Sequence, residues 1–159
     1  MLDSRLIAHP GIGDEGDLRC IERNNSGLHR PGGSMHRHVP RLPRVQIFHI
    51  ATGRDWDAAI ASGSYTTSTY GVTIEQEGFI HASTADQVQA TAARYYADLD
   101  EPLVVLVMDE DRLRAGGVPV LHEEIAPGLV FPHLYAELPV GLVDAARPAS
   151  FDQDGHLRF

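Results

Sequence analysis

Leu103-Val104-Val105-Leu106-Val107-Met108 is the strongest apolar run in the chain, and three of its six residues are β-branched. An unbroken run, without polar alternation, reads as a strand buried on both faces, so it is predicted to be the centre of a sheet. Asp109, Glu110 and Asp111 follow and are expected to end it at the surface. Upstream, Val45-Gln46-Ile47-Phe48-His49-Ile50-Ala51 reads as a second buried strand. Thr52, with Asp55 three residues on, resembles a helix cap. Trp56 and Ile60 give the short helix after it an apolar stripe, and Gly63 ends it.

Residues 64–77 are rich in Thr and Ser and read as a loop. Gly78-Phe79-Ile80-His81-Ala82 reads as a short strand, after which Ser83 or Thr84 caps a second helix. Val88, Ala92, Tyr95 and Leu99 recur at helical spacing and mark its buried face. Gly116-Gly117 is a turn, Val118 to His122 is a further strand, and Phe131 to Leu138 and Val140 to Ala146 are two more, joined at Pro139. Pro132 inside a strand pattern points to an edge or a bulge. The pattern predicts an α+β fold, a small mixed sheet with two main helices, over residues 45–147. Residues 148–159 are expected to be a C-terminal tail.

Residues 1–44 are expected to be a poorly structured tail, because glycines and prolines interrupt every period there. Met35 stands just before the domain and is a candidate translation start. Cys20, the one cysteine, rules out an intrachain disulfide. No apolar run approaches the roughly 20 residues that span a bilayer, and the first residues lack the order of a signal peptide, so a cytoplasmic location is expected.

Charge is uneven. Residues 1–44 hold seven arginines against five acids; the remainder holds six against seventeen, within a net charge of −9. So acidic a domain is a poor general binder of nucleic-acid backbones. The chain has no lysine, which excludes Schiff-base and phosphate-loop lysine chemistry.

His49, His81 and His133, with Glu124, are the candidate catalytic residues. A histidine in an apolar strand is about as often a hydrogen-bonded core residue as a functional one. His81-Ala82-Ser83-Thr84 carries more information, since it sets an imidazole and two hydroxyls where a helix N-terminus leaves N–H groups free. Glu123 and Glu124 lie ahead of Phe131-Pro132-His133, and a carboxylate there can orient the imidazole or bind a ribose hydroxyl. The pair His36 and His38 has the look of a metal site but falls in the tail.

Ile47-Phe48-His49-Ile50-Ala51-Thr52, Gly78-Phe79-Ile80-His81-Ala82-Ser83-Thr84 and Phe131-Pro132-His133-Leu134-Tyr135, in this order and spacing, resemble the small bacterial family known as domain of unknown function 952. Glu124 matches a glutamate that the family tends to carry, whereas Leu129 stands where the family often has an acid. The resemblance implies a fold similar to the ADP-ribosyltransferases, nearest the RNA 2′-phosphotransferases, which use a histidine pair and NAD. It thus implies an NAD-dependent ADP-ribosyl or phosphoryl transferase. His49 would bind a ribose hydroxyl and His81 would face the nicotinamide or its ribose. Thr52, Ser83 and Thr84 would contact the cofactor, and His133, Tyr135 and Glu124 would line the far wall. No arginine adjoins either histidine motif; Arg54 and Arg94 are the nearest, which speaks against RNA phosphate as substrate. Two other classes stay open. One is a non-catalytic module for a nucleotide or other small ligand. The other is a metal-dependent hydrolase in which three histidines leave an open zinc position.

Overall fold

The computed structural model describes residues 44–159. Its centre is β6 (Leu103–Asp109), which lies antiparallel between β1 (Gln46–Thr52) and β10 (Ala145–Phe151), with β11 (Leu157–Arg158) outermost. Both faces of this sheet are covered, which is why β6 is apolar without alternation. Ile47, Ala51, Leu106 and Met108 join one core with Trp56, Tyr65, Leu113 and Leu134. Phe48, Ile50, Leu103, Val105 and Val107 join the other with Val88, Ala92, Tyr96 and Leu157. Each fully buried aliphatic side chain here contributes roughly 1.5–3 kcal/mol.

A second antiparallel sheet has the order β5 (Ile80–His81), β8 (Leu129–Leu134), β7 (Val120–Ala126). It meets the first at one bridge, where Phe48 N donates to Ser83 O and Ser83 N to Phe48 O, each at 2.8 Å. The helices are α1 (Gly53–Ser62), α2 (Ile74–Glu77), α3 (Val88–Tyr95) and α4 (Glu110–Ala115), with a 3₁₀ turn at Val140–Leu142. Thr52 Oγ1 accepts from Asp55 N at 3.1 Å and caps α1, and Gly63 ends it at φ 91°. No helix of the described residues is long and apolar enough to cross a membrane.

Several expectations need correction. The sheet is not mixed: every described strand pair is antiparallel, because the chain between β1 and β6 builds the start of a second sheet instead of a parallel crossover. Among the described residues there are four α-helices, of which α1 and α3, the two main ones, are the longest. Ile60 is exposed, and Ala59 packs beside Trp56 instead. Tyr95 is exposed and Tyr96 buried, because α3 ends between them and the backbone leaves helical conformation. Asp109 and Glu110 do not lie at the surface. Asp109 caps α4 through Arg112 N at 3.0 Å, and Glu110 accepts from Arg114 and from His122 at 2.8 Å. The loop over 64–77 contains β2 (Ser64–Tyr65), β3 (Thr67–Thr69) and β4 (Val72–Thr73) as well as α2. Pro132 lies in the middle strand, not at an edge; its carbonyl accepts from Ala82 N where β5 stops, so its donorless nitrogen interrupts no long ladder. Between Leu134 and Ala145 the chain makes β9 (Leu138–Pro139), paired with β2, and the 3₁₀ turn in place of long strands. Residues 148–159 are not a tail: they complete β10 and return as β11, and Leu157 is buried. The readings of residues 1–43, Cys20, Met35 and the His36/His38 pair lie outside the described residues.

Candidate functional site

Beside the Phe48–Ser83 bridge that joins the two sheets lies a cleft of about 410 Å³. β1, the end of β5, α3 and the β7–β8 hairpin form its walls. His49, His81 and His133 all line it, but their environments differ.

His49 is enclosed. Its Nδ1 is 2.6 Å from His81 O and therefore donates, which leaves Nε2 to accept from Tyr65 OH at 2.9 Å. Burial lowers its pKa from 6.5 to about 4, so the ring is neutral at ordinary pH. Burial also pushes the Tyr65 hydroxyl upward. With both nitrogens occupied, His49 braces the cleft floor and offers no free polar atom to a ligand. A strand histidine looks the same in sequence whether its nitrogens are satisfied or not.

His81 is partly open. It is opposite His133 in the β5–β8 register, and the two rings meet edge to face at 4.9 Å. Its Nε2 is 3.5 Å from Glu77 Oε1. Desolvation, and then the neighbouring His133, lower its pKa against a smaller upward pull from Glu77.

His133 is 3% exposed and stacks on Phe79 with centroids 4.1 Å apart. Its Nδ1 is 2.6 Å from Glu123 Oε2, and the same oxygen accepts from Tyr135 OH at 2.6 Å. The Tyr135 and His133 hydrogen bonds hold the Glu123 carboxyl below the usual range, while the carboxylate raises the Tyr135 hydroxyl. His133 Nε2 is buried with no partner.

Glu124, the expected site glutamate, is on the opposite face. Its Oε1 accepts from Gly128 N at 2.7 Å and secures the hairpin turn, where Gly128 takes φ 76°. A bulge decides between the two glutamates. Ala126 pairs with Leu129, yet Glu124 pairs with Val130, so Ile125 is an extra residue. Without it, Glu124 would oppose Phe131 and share the face of His133. With it, Glu123 does.

Thr52 is a buried helix cap and is not on the cleft wall. Ser83 lines the cleft, with its Oγ 3.1 Å from Thr91 Oγ1. Thr84 turns to Asp86, and its N–H is taken by Gln87 Oε1 at 3.1 Å, so the free donor expected there is occupied. Tyr135 acts on the site through Glu123. Two groups were not singled out for the site: Tyr65, and a second hydroxyl pair on the wall, Thr69 Oγ1 and Tyr96 OH at 3.3 Å.

The structure separates the two arginines. Arg94 reaches the cleft, its guanidinium 5.3 Å from the Tyr95 ring centroid, whereas Arg54 faces Glu101 at 3.5 Å. A metal centre on the three histidines is poorly matched to this geometry, since His49 has no free nitrogen. The metal-like group among the described residues is instead Asp152, Asp154 and His156, in the β10–β11 turn.

A family model described as "Protein of unknown function (DUF952)" matches residues 50–146. The crystal structure of protein CC0527 from Caulobacter crescentus is 33% identical, with a TM-score of 0.61, over 71% of this chain and 93% of that one. A double mutant of the same protein gives 32% identity and a TM-score of 0.61, covering 71% and 93% of the two chains. Its solution NMR structure gives 32% and 0.56 over 70% and 90%. No curated protein matches the sequence.

Proposed function

The chain belongs to the DUF952 family, whose function is unknown, and we propose that its cleft binds a nicotinamide dinucleotide as an ADP-ribosyltransferase-like domain. The observation that carries this reading is the chemistry of the cleft lining. Arg94 stands there with two hydroxyl pairs, Ser83–Thr91 and Thr69–Tyr96, beside the apolar Phe48, Ile50 and Phe131. A cation suits a pyrophosphate, hydroxyls suit ribose, and apolar surface suits a planar base. Asp86, whose carboxyl is held below the usual range by the Thr84 hydroxyl, adds an acceptor for a ribose diol. The cleft volume lies within the roughly 300–1,000 Å³ of small-molecule sites.

A binding module without turnover is the second reading, and the saturation of His49 favours it. Transfer chemistry that needs a His49 nitrogen on the ribose must first break its bond to His81 O or to Tyr65 OH. Thermal unfolding with NAD tests binding. At one hundred times its dissociation constant the ligand should add about 2.7 kcal/mol, and His81→Ala should reduce the shift. No shift with millimolar NAD, together with a clear shift from zinc, overturns the proposal. Nicotinamide release then separates turnover from binding.

A further inference from the structure

We infer that His133 Nε2 is a fixed lone-pair acceptor that selects, at its end of the cleft, a ligand group bearing an O–H or N–H donor. The inference rests on the ligand-binding reading above and adds the polarity of one subsite. Glu123 Oε2 already accepts the hydroxyl of Tyr135, and an ionised carboxylate has no hydrogen to give. The contact at 2.6 Å therefore requires Nδ1 to be the donor, and in the neutral ring Nε2 is left with its lone pair.

The ring has little freedom to change this. It projects from the middle strand of its sheet, its side chain is 4% exposed, and it is stacked on Phe79. Most of the buried polar side chains of the cleft have partners. His49 uses both nitrogens, and Ser83, Thr91, Thr69 and Tyr96 pair among themselves. His133 lines the cleft, and its Nε2 is the buried nitrogen of that lining left without a partner. A buried acceptor without a donor is costly, so a ligand donor gains more here than at a group that already has a partner.

A carboxylate or phosphate at this point would set lone pair against lone pair. Arg94, on α3, is the cation that lines the same cleft, so the two residues give the cleft a polarity: anion at Arg94, donor at His133. The bulged Ile125 and Leu129 are 58% and 40% exposed on the hairpin wall, which suits an apolar body between the ends. A bond that served only to hold β7 against β8 would not distinguish one ligand from another.

Nicotinamide and nicotinate share a ring and differ in carrying an amide donor or an acceptor-only carboxylate. Long-range ¹H–¹⁵N spectra of the full chain, with His133 assigned by its loss in His133→Gln, read Nε2 directly. At neutral pH Nε2 should resonate as an unprotonated nitrogen. It should move on adding nicotinamide and stay in place with nicotinate, whose dissociation constant should be at least roughly tenfold weaker. In Glu123→Leu, a change at a half-exposed position, a hydrogen should appear on Nε2 and the preference should disappear.

A hydrogen on Nε2 in the free wild-type protein, equal responses to the two probes, or no response to either overturns the inference. If NAD shifts the Ser83 and Thr91 amides but not His133, the inference fails and NAD binding stands. If nicotinamide moves His133 and NAD perturbs nothing, the inference stands and NAD binding fails.

Discussion

Acidification should destabilise this domain through His49 before most carboxylates titrate. The folded ring has a pKa of about 4, against 6.5 in an unstructured chain. Its stabilising effect is therefore fully present above pH 6.5 and is lost as pH falls from 6.5 towards 4, because only the unfolded chain takes up the proton over that window. One group costs about 1.4 kcal/mol per pH unit there, so the loss between pH 6.5 and 5 is about 2 kcal/mol and the full effect about 3 kcal/mol. His81 is shifted in the same direction and adds to the wild-type slope. His49→Asn separates the two. Its amide can still donate to His81 O, but the Tyr65 hydroxyl loses its acceptor, a pH-independent cost of about 1–3 kcal/mol. Urea unfolding of both proteins at half-unit steps from pH 7 to 5 is the assay. The variant should start less stable and lose about 2 kcal/mol less over the range. Parallel loss in the two proteins would refute the assignment of His49 as a buried neutral brace.

Val105 is fully buried in the central strand. Val105→Asp should prevent folding, since an unpaired buried carboxylate costs several kcal/mol against a total stability of about 5–15 kcal/mol. His81→Ala should remain folded, and circular dichroism with thermal melts reads both. Ending the chain at Phe151 should lower stability by at least about 2 kcal/mol, because Leu157 leaves the core and Gln89 loses its two bonds to the Leu157 backbone. An unchanged melt would return these residues to the status of a tail. Glu124→Ala should loosen only the Gly128 turn and leave NAD affinity unchanged, whereas Glu123→Ala should weaken it; the reverse order, by calorimetry, would restore Glu124 to the site.

The apolar run at 103–108 and the strand at 45–51 were legible because both faces of one sheet are buried. Period and composition then agree. The Thr52 cap and the Gly63 stop were legible because each acts within a few residues of itself. Features that depend on long-range pairing were not. The antiparallel order of β1, β6 and β10 comes from ladders between strands far apart in sequence, β11 is held by packing of Leu157 in the core that α3 shares, and Ala149-Ser150-Phe151 carries no strong strand signal. The same limit applies to the site. Sequence brought three histidines forward, and the structure gathers all three at one cleft. It could not show that the His49 nitrogens are both taken and that His133 keeps one free. The choice of Glu123 over Glu124 depends on a single bulged residue, Ile125, whose side chain gives no local hint of it. Arg94 reaches the cleft because α3 packs against β1, a contact of high sequence separation.

Calorimetric titration of the full chain with NAD, run beside Arg94→Glu, tests the central claim most directly. The variant is exposed on α3, so the fold should be kept while the cation is replaced by an anion. The wild-type protein should give a saturable one-to-one isotherm. The variant should lose at least roughly tenfold in affinity, more than about 1.4 kcal/mol. No heat from the wild-type protein at millimolar NAD, or an isotherm that Arg94→Glu leaves unchanged, would contradict the account.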